Sequence, residues 1–334
     1  MANTNQITDV VAILGNGKKE ELSTDQRNMI HELHDDVEEL RRLYNDKKTQ
    51  ITPEFKEDDT DIFCDYETCR RYLVARQWNS KAALKQLSST LKWRMNEMSP
   101  KKLLTMQFWQ SPKAFQNPLA FNLRCIGIDK MGRPVTYTCY AEAHDRFDID
   151  ATTLHTLLLL ESLMKLIKKR CLKGLNPTAD SRQWVMIVDF DGLSLRDNNP
   201  KLGLKIVRLL TDHYPEMLNS MLFLNAPFIF SATWKVAKAV LDENTTSKFA
   251  FLKGDEMIHD IMGERLGGDI ANWVINELRD NVEKRQNVAK NGYKKYWIAP
   301  EKKSDHDPRG VNSYVESEYY IQTPGDVHEK NNAL

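Results

Sequence analysis

The chain lacks most of what would tie it to nucleic acid, export or a membrane span. Its 47 basic and 47 acidic residues cancel to a formal charge of zero, which removes the global positive field that nonspecific nucleic-acid binding draws on. Its five cysteines, Cys64, Cys69, Cys125, Cys139 and Cys171, are sparse, odd in number and without CxxC spacing. Reduced thiols are expected from that pattern, since a disulfide-stapled secreted fold carries more cysteines in a shorter chain. No window reaches the ~18 uninterrupted apolar residues that a spanning helix needs. Met1 to Gly17 holds only the apolar run Val10 to Leu14, with no basic segment ahead of it, so a signal peptide is not expected. The sequon Asn244-Thr245-Thr246 then reads as a turn. Together these absences predict a cytoplasmic protein with no nucleic-acid partner.

Catalytic signatures are equally scarce. Gly15-x-Gly17 follows an apolar run, but the third glycine of a dinucleotide fingerprint is missing and no βαβ unit follows. Neither GxxxxGK[ST] nor GxSxG occurs. His213 lies near Glu216, yet no motif places a serine or cysteine to be activated by them. Asp189 and Asp191 resemble a carboxylate pair for a metal, but two carboxylates without a third ligand specify little, and turn capping is the expected role. The HELH at His31 to His34 is one residue short of the spacing that brings two zinc ligands to one helix face. No catalytic residue, metal or cofactor is therefore expected.

What is present is a chain of 334 residues and 38.7 kDa, 41% hydrophobic, long enough for one substantial core with a smaller attachment. Ser23 with Gln26 reads as a capping box before a helix through Tyr44. Tyr66 to Gln77 reads as helix, Trp78 to Ser80 as a turn with Ser80 as N-cap, and Lys81 to Met95 as a third helix. After a short basic helix opened by Ser99-Pro100, the extended runs Phe121 to Gly127 and Pro134 to Cys139 flank a turn and predict a hairpin. An apolar helix capped by Asp150 or Thr152 runs to Arg170, a buried strand covers Trp184 to Phe190, and a helix from about Leu202 to Thr211 follows. Strands separated by helices predict an α/β layer, with a mixed sheet because of the early hairpin.

The most informative stretch is His213 to Leu252. It contains a strand from Met221 to Asn225, a proline-started apolar segment from Pro227 to Leu241, a polar turn from Asp242 to Ser247, and a strand from Lys248 to Leu252. Glu216 and Lys248 each stand at the polar start of a buried element. Phe228, Phe230, Trp234 and Val240 belong to a segment that is apolar around much of a helical circumference, more than one core-facing stripe requires. Such a helix is either buried in a large core or covers apolar material on a second side, and composition leaves both readings open.

Five segments in order resemble the Sec14-like, or CRAL-TRIO, lipid-binding and phospholipid-transfer family. They are Arg70 to Arg94, DKMGRPV at Asp129 to Val135, VMIVDFDG at Val185 to Gly192, the stretch from HYPE at His213 to SKF at Phe249, and LGG at Leu266 to Gly268. The resemblance covers roughly residues 61–268. It implies an α/β fold: an N-terminal helical module before a CRAL-TRIO cage whose mixed sheet floors an apolar lipid pocket, with the gate over that pocket inside Pro227 to Asn244. The expected spans are 1–60 for a helical extension and link, 61–100 for the family's helical module, 101–275 for the lipid-binding domain, and 276–334 for a final helix and polar tail.

By the same resemblance, phosphoinositide recognition falls on Glu216, Lys248 and Gln77, where Gln77 replaces a basic residue of the family and cannot neutralise charge. The small hydroxylated residues that the family uses for a choline lipid are Trp184 and Met186 here, which puts phosphatidylcholine as an exchange ligand in doubt. Phe228, Phe230, Trp234 and Val240 become gate or pocket residues. Lys165, Lys168, Lys169 and Arg170 end an apolar helix, where the helix C-terminus favours cations, and they also suit an anionic leaflet. The implied function is non-enzymatic binding of phosphatidylinositol or another phospholipid and its transfer between cytosolic leaflets by a monomer. The alternatives are a lipid-sensing module that presents its ligand to a lipid kinase or trafficking partner, and a carrier of another small hydrophobic ligand.

Overall fold

The structure is a computed structural model that describes residues 22–48, 65–96, 124–139, 149–172, 174, 178, 182–193, 199–228, 230–239 and 243–291. Two compact units divide the chain: one contains residues 110–206 and 218–334, the other residues 20–109 and 207–217. The packing crosses the spans expected from sequence. The helix at 24–48 shares a unit with those at 66–96, and the C-terminal helix shares one with the sheet.

The first unit is built on a five-stranded sheet of order β1-β2-β3-β4-β5, formed by Arg124–Ile128, Pro134–Cys139, Trp184–Asp189, Leu218–Leu224 and Phe249–Leu252. The predicted hairpin makes β1 and β2 antiparallel, and every later pairing is parallel, so the sheet is mixed. β2 and β3 are buried along their whole length, as β-branched and apolar strands covered on both faces must be. Alternation then sorts the side chains. Val135, Tyr137, Val185, Ile187, Leu222, Leu224, Ala250 and Leu252 join one core with Ile258, Ile261 and Met262 of helix Asp255–Arg265 and Ile270, Val274 and Leu278 of helix Gly268–Asn291.

Buried polar groups fix the ends of this sheet. Asp129 Oδ1 accepts from the backbone N–H groups of Met131 and Arg133, both at 2.8 Å, and its Oδ2 accepts from Arg133 Nε at 2.6 Å. Gly132 takes φ 86°, a left-handed turn position that favours glycine. Arg133 is 1% exposed, and its Nη1 donates to Asn219 Oδ1 at 2.6 Å. This buried guanidinium is tolerable because a carboxylate and an amide pair with it, and the pairing ties the hairpin to the start of β4. Under the sheet, Tyr137 donates to Asp189 Oδ2 at 3.0 Å and accepts from Asn281 Nδ2 at 3.0 Å. Asp189 Oδ1 caps the turn by accepting from Asp191 N at 2.8 Å. Among the described residues no group of three or more His, Cys, Asp or Glu is placed to hold a metal.

The second unit packs α1 (Thr24–Lys48), α2 (Tyr66–Ala75) and α3 (Ser80–Asn96) against one another and against residues 207–217. The capping box forms as read: Ser23 N donates to Gln26 Oε1 at 2.9 Å and Gln26 N to Ser23 Oγ at 3.1 Å. The cap of α3 is Asn79, not Ser80. Its Oδ1 accepts from Ala82 N at 3.0 Å, so Ser80 is already the first helical residue. Leu33, Val37, Cys69, Leu73, Ala83, Leu87 and Leu91 are buried, as apolar residues at helical spacing should be. The two histidines of HELH both meet an aromatic ring: His34 stacks on Tyr66 at 4.2 Å, and His31 lies 4.8 Å from it.

Other boundaries shift. The turn expected at Asp242 to Ser247 contains the short helix Glu243–Ser247. The helix expected to be capped at Asp150 or Thr152 spans Ile149–Leu172, and Asp150 in its first turn pairs with Lys205 at 2.8 Å instead. The expected helix at Ser99-Pro100, the run Tyr293 to Ile298 and the tail lie outside the described residues.

Candidate functional site

The sheet's second face, opposite the helix-packed core, carries Trp184, Met186, Val188, Met221 and Phe223, with Phe249 and Phe251 on the last strand. Rings cover it. Phe223 meets Phe190 at 5.3 Å, Phe249 at 5.6 Å and Phe251 at 5.1 Å, mostly edge to face, the arrangement favoured by ring quadrupoles. Helix α6, Phe230–Lys238, lies over these rings (helices α4 and α5 being Ile149–Leu172 and Pro200–His213). Phe230 meets Phe190 at 4.3 Å and Phe223 at 5.3 Å; Trp234 meets Phe249 at 4.7 Å and Phe251 at 5.5 Å.

Sequence reading chose Phe230 and Trp234 as cover residues, and the structure brings them together on this face. Phe228, three residues after Asn225, is 93% exposed in the turn that starts α6. An aromatic ring left in water costs apolar burial that the fold does not recover. Helix α6 is shorter than the predicted apolar segment, and Val240 lies outside the described residues. Phe190, Phe223, Phe249 and Phe251 were missed as site residues. For Phe223, Phe249 and Phe251 the signal was the alternation of β4 and β5, which places them opposite the residues of the helix-packed core; Phe190 directly follows β3.

Trp184 and Met186 are 2% and 7% exposed. The indole Nε1 of Trp184 is buried without a hydrogen-bond partner, so an acceptor reaching it would gain what the fold leaves unsatisfied. That indole N–H shares the face with the buried hydroxyls of Thr136 and Thr138, whose strand pairs beside Met186 and Val188.

Gln77 and Glu216 belong to the helical unit, and both adopt left-handed backbone, with φ 52° and φ 56°. Such conformations cost a non-glycine residue about 1–2 kcal/mol. At Gln77 the cause is the end of α2, where Gln77 N donates to Val74 O at 3.0 Å and Trp78 N to Leu73 O at 2.7 Å. At Glu216 the preceding residues are pinned. Arg71 Nη1 donates to Pro215 O at 3.3 Å, Tyr72 Oη to His213 O at 2.9 Å, and Gln86 Nε2 to Thr211 O at 2.9 Å. His213 Nδ1 lies 3.1 Å from Thr90 Oγ1, and its ring stacks on Trp93 at 3.9 Å. Burial, the largest influence, lowers the pKa of His213; Asp212 opposes that shift and Arg94 adds to it.

Lys248 belongs to the sheet unit, half-buried at the start of β5, where its carbonyl accepts from Met221 N at 2.8 Å. Of the basic cluster at the end of α4, Lys168 and Arg170 are half-buried and both are engaged with other groups. The side chains of Lys165 and Lys169 lie outside the described residues. Among the described residues no helix is long and apolar enough to cross a membrane.

Comparison with known proteins fits this geometry. Residues 124–268 match the CRAL/TRIO domain. Over 210 residues the chain is 28% identical to Protein real-time of Aedes aegypti, covering 58% of this chain and 30% of that protein. It is 27% identical over 198 residues to phosphatidylinositol transfer protein CSR1 of Eremothecium gossypii, covering 57% and 43%. It is 29% identical over 195 residues to phosphatidylinositol/phosphatidylcholine transfer protein SFH7 of Arabidopsis thaliana, covering 54% and 34%. The match therefore spans less than half the length of each of these relatives. The crystal structure of Sfh5 superposes with a TM-score of 0.53 at 16% identity, covering 74% of this chain and 85% of Sfh5, which supports the fold. The domain match at residues 124–268, the mixed sheet and these relatives support a Sec14-like CRAL-TRIO fold for this part of the chain.

Proposed function

We propose that this protein binds a phospholipid, phosphatidylinositol before others, and carries it between cytosolic membrane leaflets without chemical change. The observation that carries the reading is the aromatic sheet face under α6, with Phe228 exposed beside it. An acyl chain lying on that face withholds methylene groups from water, at roughly 0.8 kcal/mol each. Since the bilayer offers the same gain, the net preference is small and exchange is reversible. Phe228 supplies the contact with the bilayer while α6 moves aside. Lys248, at the start of β5, meets the lipid phosphate as a compact cation. Two relatives named as phosphatidylinositol transfer proteins support the choice of headgroup. Trp184 in place of a small hydroxylated residue argues against phosphatidylcholine as the exchange partner.

The test exposes the purified full-length protein to liposomes of mixed phospholipids, identifies the retained lipid by native mass spectrometry, and follows labelled phosphatidylinositol from donor to acceptor vesicles. Retention of one phosphatidylinositol per chain, with transfer, is expected. A protein that retains no phospholipid overturns the proposal, and one that retains a different lipid overturns the headgroup assignment.

A further inference from the structure

The helical unit contains an open groove of about 720 Å³, of the size that small ligands occupy. It lies along a stripe of α3 in which Lys85, Ser89 and Lys92 recur at spacings of four and three residues, so they share one helix face. The stripe is separate from the one that Ala83, Leu87 and Leu91 bury in the unit's core. Arg76, at the end of α2, adds a third cation to the lining; Asp212 is the one carboxylate among the described lining residues. Arg76, Lys85 and Lys92 have no ion-pair partner among the described residues, which leaves an excess positive charge facing the groove. An unpaired concentration of like charge is unfavourable for the fold and favourable for an incoming anion.

The wall opposite the lysines is held rigidly. Gln86 Nε2 donates to the carbonyls of Thr211 and Asp212, and Trp93 lies flat on His213, with 6° between the rings. Thr90 engages Nδ1 of His213, and Nε2 has no partner among the described residues. Lys85 and Lys92 stand two helical turns apart, about 10 Å along the axis. That separation suits two phosphoryl groups on opposite sides of a ring better than a single phosphate.

From this geometry we propose that the groove binds a small anion carrying two or more phosphoryl groups, with Lys85 and Lys92 each meeting one and Ser89 donating between them. The residues do not include Glu216 or Lys248, and the proposal stands whether or not the sheet unit carries lipid. A soluble polyol phosphate and the headgroup of a multiply phosphorylated lipid share this chemistry.

Calorimetry of the full-length protein with inositol trisphosphate, and flotation with phosphatidylcholine vesicles with and without phosphatidylinositol bisphosphate, distinguish the two sources. The double variant Lys85→Ala/Lys92→Ala is expected to weaken binding by about tenfold or more, because two charge-assisted hydrogen bonds are lost. Ser89→Glu, which places a negative charge in the groove, should do the same. Lys81→Ala removes an exposed cation of α3 outside the lining and should leave binding within about twofold, as expected of a screened surface charge. Binding in only one arm identifies the source and supports the site. Absence of binding in both arms overturns it, as does an equal loss in the Lys81→Ala control.

Discussion

Replacing Phe230 by alanine distinguishes a movable cover from a piece of ordinary core. Phe230 is half-buried and meets Phe190, Phe223 and Phe251 at 4.3, 5.3 and 6.4 Å. A fully buried Phe→Ala change costs about 3–5 kcal/mol; for a ring half in water the expected cost is about 2 kcal/mol. If α6 opens as a unit, that energy shifts the opening equilibrium by roughly 30-fold, at 1.36 kcal/mol per factor of ten. Hydrogen exchange followed by mass spectrometry should then show protection lost over residues 230–238, with β3 and β4 amides unchanged. In the vesicle assay the variant should release lipid faster while its melting temperature moves little. Loss of protection spread equally through β3 and β4 would refute the reasoning, since it would make α6 part of the cooperative core.

Lys248→Ala should slow phosphatidylinositol transfer selectively over that of other phospholipids, and Gln77→Lys should raise uptake of inositol lipid; an unchanged rate in either variant would remove that residue from headgroup recognition. Tyr137→Phe strips the buried hydroxyl that donates to Asp189 and accepts from Asn281, and should cost about 1.5–3 kcal/mol, as for other hydrogen bonds to charged groups. Thermal melts measure that cost; a variant as stable as the parent would show that the hydroxyl contributes nothing. His213 has a lowered pKa in the folded chain, chiefly through burial, so the unfolded chain binds the proton more readily. The associated stability is complete above the unfolded value near 6.5 and is lost as pH falls through and below it. Melting temperatures taken on either side of that value should therefore diverge more for the parent than for His213→Asn, and equal divergence would show that other groups set the acid limit.

The sequence by itself determined the kinds of element and their order. The Ser23 and Gln26 box and the hairpin around Asp129 to Arg133 are local patterns whose hydrogen bonds close within a few residues, so they were legible without knowing where the chain returns, and the strand Trp184–Asp189 was legible from its unbroken apolar run. The same holds for Asp189 and Asp191 as a turn. The cap of α3 was misplaced by one residue because asparagine and serine are both good N-caps, and only backbone geometry chooses between them.

Tertiary structure decided which residues share a face. Phe190, Phe223, Phe249 and Phe251 come from three separate segments, and parallel pairing of β4 with β5 is what gathers them under Phe230 and Trp234. Grouping residues 207–217 with the N-terminal helices, and with it the groove beside α3, depends on contacts more than 100 residues apart, such as Tyr72 with His213 and Gln86 with Asp212. No periodicity along the chain encodes such contacts. They arise because the carbonyls at the end of a helix need donors, and here the donors are supplied by a different part of the sequence.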